Sequence, residues 1–123
     1  MTEQIFEHAS FDKPDEVREG DNWRLELVNL AGGVQIGRIT IQPGWRWTEH
    51  VKPVAGTELC MAPHQQYQIA GRMHVVMEDG TEADSGPGEV TSLPPGHDAW
   101  VVGDEPVVAI DWQGASVWAR KAE

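Results

Sequence analysis

The sequence predicts a single all-β domain, a sandwich or barrel of short strands. Apolar residues recur at every second position through most of the chain, and turn dipeptides separate those runs at short intervals. Eight prolines interrupt most stretches long enough for a helix. The chain has 123 residues, enough for one hydrophobic core and too few for a second of ordinary size. Hydrophobic residues make up 40% and charged residues 24%, a balance that builds a compact core rather than a disordered acidic tail.

The elements follow in order. Residues 1–20 are polar, carry Pro14 and read as an N-terminal arm or an edge strand. Trp23, Leu25 and Leu27 alternate with Arg24 and Glu26, the pattern of a half-buried strand. After Gly32-Gly33 a second strand runs from Val34 to Ile41 and ends at Pro43-Gly44. Tyr67 and Ile69 alternate with Gln66 and Gln68. Beyond Gly71, Met73, Val75 and Met77 alternate with Arg72, His74 and Glu78 up to Asp79-Gly80, the strongest hairpin turn in the chain. Gly86-Pro87-Gly88 and Pro94-Pro95-Gly96 are further turns, and Ala99 to Val102 and Val107 to Trp112 close the set. The barrel thus occupies residues 21–114, and the tail at 115–123 is the one stretch suited to a short helix.

Composition excludes several classes. Twenty acidic against nine basic residues give a net charge of −11, which repels phosphate backbones and anionic lipid, so neither nucleic acid nor a membrane is expected as a partner. No apolar run approaches the roughly 20 residues that span a bilayer. The N-terminus lacks a basic segment followed by an apolar one, and the single Cys60 rules out an internal disulfide and fits a reducing compartment; the expected location is the cytoplasm. Six tryptophans point to a ligand cleft or to a small core filled with large residues. No glycine-rich phosphate loop, nucleophile elbow or Cys-x-x-Cys pair is present.

The turns and histidines between Gly44 and Trp100 resemble the two motifs of the cupin superfamily, small jelly-roll barrels that often hold a metal. Gly44 is followed after five residues by His50, and His64 after six by Gly71. In the second motif, Gly88-Glu-Val-Thr-Ser-Leu-Pro94-Pro95-Gly96 matches the glycine frame and His97 follows at once. The text PPGHDAWVVGDEP is similar to a branch of small single-domain bacterial cupins. The resemblance implies a cupin-type double-stranded β-helix and a homodimer; a long edge strand near the N-terminus would also need covering. It does not specify a reaction. The departures are Lys52 at the place of the motif's second histidine, His64 at the place of its glutamate after the eleven-residue connection Pro53 to Pro63, and Ala99 at the place of the last histidine.

Strand parity lets His97 share a face with position 99 and His50 with Lys52, so the resemblance implies that His50, His64 and His97 converge as ligands for a divalent transition metal: zinc, iron, manganese, nickel or copper. Alternatively the three are scattered polar residues of a turn-rich sheet. Cys60, four residues before His64, is a further candidate ligand or proton carrier, or else a small buried hydrophobe. Glu58 is a candidate general base whose default is solvent. Lys52 either reaches a substrate carboxylate or begins a loop with its amine in water. Gln66 and Gln68 share parity with His64 and form a polar pocket wall if His64 faces inward; otherwise Tyr67 and Ile69 do. Trp45, Trp47 and Trp100 oppose the histidines by parity, which favours core or interface packing over lining of a substrate pocket. His8 and His74 read as surface residues. The expected activity is that of a metal-dependent oxygenase, isomerase or lyase acting on a small organic molecule. The alternatives are a non-catalytic small-molecule sensor and a metal-free acid–base enzyme using His64 or His97.

Overall fold

The structure is a computed structural model that describes residues 6–113. The short helix expected within residues 115–123 lies outside that range. The described residues form nine strands: β1 (Glu16–Gly20), β2 (Trp23–Leu30), β3 (Val34–Ile41), β4 (His64–Ala70), β5 (Arg72–Met77), β6 (Glu82–Ser85), β7 (Val90–Leu93), β8 (His97–Val102) and β9 (Val107–Asp111). They build a six-stranded sheet in the order β1-β2-β3-β9-β4-β7 and a three-stranded sheet in the order β6-β5-β8, with every pairing antiparallel. The all-β jelly-roll expectation is met. No helix among the described residues is long and apolar enough to cross a membrane.

Alternation does the work of assembly. Trp23, Leu25 and Leu27 face inward from β2, Ile39 and Ile41 from β3, and Val107 and Ala109 from β9. The register sets Leu25 beside Ile39 and Ile39 beside Ala109, so apolar rows cross the large sheet at right angles to its strands. Met73 and Val75 of β5 and Ala99 and Val101 of β8 cover those rows from the small sheet. At the tight turn between β4 and β5, Gly71 has φ +78° and lies so close to Pro106 and Val107 that a Cβ there would fall 2.5 Å from the Pro106 carbonyl oxygen. Only glycine fits this crossing.

Two expectations are corrected. Residues 47–50 and 52–55 are not strand: they form the single-turn helices α1 (Trp47–His50) and α2 (Lys52–Ala55). Pro53 stands at the start of α2, where its missing N–H costs nothing, and Gly56 closes the helix in the left-handed conformation. The strand parity that would place His50 and Lys52 on one face therefore does not exist. Strand β6 was also not anticipated, because Glu82-Ala-Asp-Ser85 carries no apolar alternation; its pairing with β5 makes it a strand.

On the outer face of β2 and β3, Glu26 accepts hydrogen bonds of 2.8 and 3.0 Å from Arg38. These bonds hold the Glu26 carboxyl below its usual value, against the opposing effect of burial. The pair therefore stabilises the fold above the unfolded carboxyl value of about 4.3, and this contribution is lost as pH falls through the depressed folded value. Glu26→Gln is expected to lower stability by about 1 kcal/mol at pH 7. Urea denaturation in parallel at neutral and acidic pH should show the difference closing once the pH drops below about 4.

Candidate functional site

The inward face of β4 is polar. His64, Gln66 and Gln68 are buried, whereas Tyr67 and Ile69 are 42% and 49% exposed on the outer face. Of the two orientations compatible with the sequence, the structure has the one in which histidine and amides face the barrel. The two amides then diverge. Gln68 donates to the carbonyls of Gly71 (2.7 Å) and Ser85 (3.2 Å) and accepts from Ser85 Oγ (2.7 Å). Its hydrogen-bonding capacity is spent joining β4 to the β5–β6 hairpin, so it is not a pocket residue. Gln66 lines an interior cavity of about 30 Å³ together with Trp45, Trp47, Met73, His64 and His97.

His64 opens β4, and its Nδ1 donates to Oδ2 of Asp111 on β9. Asp111 is fully buried, and its Oδ1 accepts the Gln113 backbone N–H at 3.0 Å. His97 opens β8, and its Nδ1 donates to the Pro94 carbonyl at 3.0 Å. A carbonyl can only accept, so the His97 proton is fixed on Nδ1 and Nε2 is left with its lone pair. Cys60 is placed by the backbone. Its N–H donates to the His97 carbonyl and its carbonyl accepts from Gly96, both at 2.8 Å, which lays Cys60 alongside the start of β8. Gly96 adopts φ +94°, the left-handed conformation that this Pro-Pro-Gly turn requires.

Cys60 Sγ lies 3.9 Å from His64 Nε2, and the two imidazole rings are 5.5 Å apart between centroids. One donor atom from each of Cys60, His64 and His97 falls within 4.8 Å of the others, and all three residues are buried. A tetrahedral ion bonded to sulfur at about 2.3 Å and to imidazole nitrogen at about 2.1 Å holds its donors about 3.4–3.6 Å apart. Cys60 Sγ and His64 Nε2, at 3.9 Å, are within a few tenths of an ångström of that spacing, and the cluster as a whole needs up to about 1 Å of closure. Burial pushes the Cys60 thiol up to about 12 and lowers His97 to about 4. Both groups are thus neutral near pH 7: His97 is ready to donate its lone pair, and Cys60 must release a proton to ligate. Trp47 Nε1, also on the cavity, has no hydrogen-bond partner among the described residues. It is a buried donor on a residue that lines the cavity.

The other residues singled out in the sequence lie elsewhere. His50 sits on α1, where its Nδ1 accepts the Arg46 backbone N–H at 3.0 Å, and it does not join His64 and His97. Lys52 and Glu58 pair with each other at 2.7 Å, with the Glu58 side chain 90% exposed; neither reaches the cavity. Trp100 does not line the cavity; the Arg46 guanidinium lies over its ring and His74 makes a tilted ring contact with it. His74 is held by Glu82 and Asp84, and His8 is exposed. Trp47, by contrast, faces the barrel together with Trp45, both in the core as the alternation with Arg46 favours. Asp111 is absent from the sequence-level candidates, although its parity with the inward Val107 and Ala109 marks it as an acid facing the core.

Two antiparallel sheets closed around an interior, with histidines entering from the starts of β4 and β8, make this a cupin fold. No family model and no curated protein matches the chain; solved structures do, among them an oxalate decarboxylase, the coconut allergen cocosin and a polyketide cyclase, all of cupin type. A protein of unknown function from Rhizobium leguminosarum bv. viciae superposes with a TM-score of 0.63 at 18% identity, covering 89% of this chain and 99% of that one. The polyketide cyclase RemF from Streptomyces resistomycificus gives 0.57 at 15% identity, over 86% of this chain and 76% of its own. Oxalate decarboxylase from Lactobacillus farciminis gives 0.56 at 16% identity, covering 84% of this chain, which spans only 32% of that larger protein. At these identities the likeness is one of fold.

Proposed function

We propose that the protein is a small metalloenzyme in which Cys60, His64 and His97 hold a divalent transition metal and the adjoining cavity presents a small organic molecule to it. The observation that carries this reading is the convergence of three buried donors within 4.8 Å, with Nδ1 of each histidine already engaged by an acceptor. A sulfur donor beside two imidazoles suits zinc, iron or copper better than manganese. When bound, such a metal polarises a carbonyl or activates water or dioxygen. Asp111 and the Pro94 carbonyl orient the two rings, Gln66 and Trp47 Nε1 offer hydrogen bonds to the bound molecule, and Trp45 and Met73 exclude bulk water. That a decarboxylase and a cyclase share the fold supports an enzyme, and a reduced thiol at the centre suits the cytoplasm.

A second reading rests on the same residues. Cys60 Sγ, His64 and Asp111 are arranged as nucleophile, base and orienting acid. The desolvated thiol weighs against it, since no cationic group lowers its pKa. Cobalt(II) titration separates the two. The metal reading expects a thiolate-to-cobalt absorption band in the near ultraviolet that is lost in Cys60→Ser and kept in His50→Ala. A band of full strength in Cys60→Ser, or turnover that survives chelation and fails in Cys60→Ser, would overturn it.

A further inference from the structure

A cavity of about 30 Å³ holds about one or two water molecules. An organic molecule that reaches the histidines must therefore keep most of its bulk elsewhere. The adjoining space is the gap between the sheets. Strands β6 and β7 are each the outer strand of their own sheet and are not hydrogen-bonded to each other. Between them lies a second, larger cavity of about 360 Å³, within the usual range for small-molecule sites. Ala83 shows that this seam is open: it pairs with buried Val75 and so faces inward, yet it is exposed.

The seam ends against the metal cluster. Leu93 lines both cavities and stands directly opposite His64 in the β4–β7 register. Pro94, which also lines the seam, supplies the carbonyl that fixes His97. The walls are apolar at Val75, Met77 and Leu93, with hydroxyls at Ser85 and Thr91. No lysine or arginine lines either cavity, and the rim carries Asp79, Glu82 and Asp84. Even a protonated His74 between Glu82 and Asp84 leaves this rim negative.

We propose that the β6–β7 seam binds the apolar body of an uncharged organic substrate, whose reacting end passes Leu93 to reach His64 and His97. The placement of the reacting end rests on the metal-centre reading; binding of the apolar body does not. The test uses the full chain and two fluorescent probes of similar shape, uncharged N-phenyl-1-naphthylamine and anionic 8-anilinonaphthalene-1-sulfonate. The uncharged probe is expected to bind saturably and at least tenfold more tightly than the anionic one. Ala83→Trp, and Thr91→Phe from the opposite wall, should each weaken it at least tenfold while cobalt binding is retained. In Cys60→Ser/His64→Ala the probe should still bind although cobalt does not, which separates failure of the metal reading from failure of the seam. No saturable binding, equal affinity for the anionic probe, or unchanged affinity in both wall variants overturns the proposal.

Discussion

Asp111→Asn is expected to weaken divalent-metal binding by about 10–100-fold while leaving the barrel folded. Asp111 is fully buried on β9 and accepts a hydrogen bond from His64 Nδ1. That hydrogen bond fixes the ring's orientation and keeps its proton on Nδ1, so that Nε2 faces Cys60 with a free lone pair. Asparagine has nearly the same shape but no charge, and it can present either an acceptor or a donor. With the amide turned to donate, His64 must place its proton on Nε2, the ligating position. Competition titration with a chromogenic chelator reads the affinity, and the nitrogen chemical shifts of His64 read the tautomer. An unchanged affinity would show that Asp111 acts only in folding.

Trp47→Ala is expected to lower the unfolding free energy by about 3–5 kcal/mol, a large share of the total for a domain of this size. Trp47 is 2% exposed and anchors α1, and with it the connection to β4, into the barrel between the two sheets. Its removal leaves a void beside the existing cavity, and that void cannot be closed by sheets already fixed in register. Trp47→Phe should cost far less, under about 1.5 kcal/mol. It keeps most of the ring and deletes an indole N–H that has no partner among the described residues. Urea denaturation of the three proteins orders them as wild type, phenylalanine, alanine. A phenylalanine variant as unstable as the alanine one would mean that the indole N–H, not the ring, carries the stability.

Strands with one wet and one dry face were legible in the sequence. Trp23 to Leu27 and Met73 to Met77 alternate because their sheets are covered on one side only, and both form as read. The alternation of Trp45 and Trp47 with Arg46 also holds, both tryptophans lying in the core. Its extension to His50 and Lys52 fails because the chain turns into single-turn helices from Trp47 whose stop signals, Pro53 and Gly56, lie further along. That single turn keeps His50 out of the barrel interior. His64 and His97 were singled out through the glycine and proline frame of the two motifs they resemble, and the structure brings the pair together. Cys60 was a candidate from its place four residues before His64, but the backbone pairing that sets it against His97 across 37 positions of sequence was not legible, nor was Asp111, which joins through register with β4. Such non-local pairings leave no local pattern, although the parity of Asp111 was available to read.

The most direct measurement of the central claim is the metal content of the full chain purified without chelators, by plasma mass spectrometry, beside His50→Ala and Cys60→Ser/His64→Ala. The account predicts close to one equivalent of a transition metal in the wild type and in His50→Ala, and background in the double variant. Equal metal in all three proteins, or none in the wild type after reconstitution, would contradict it.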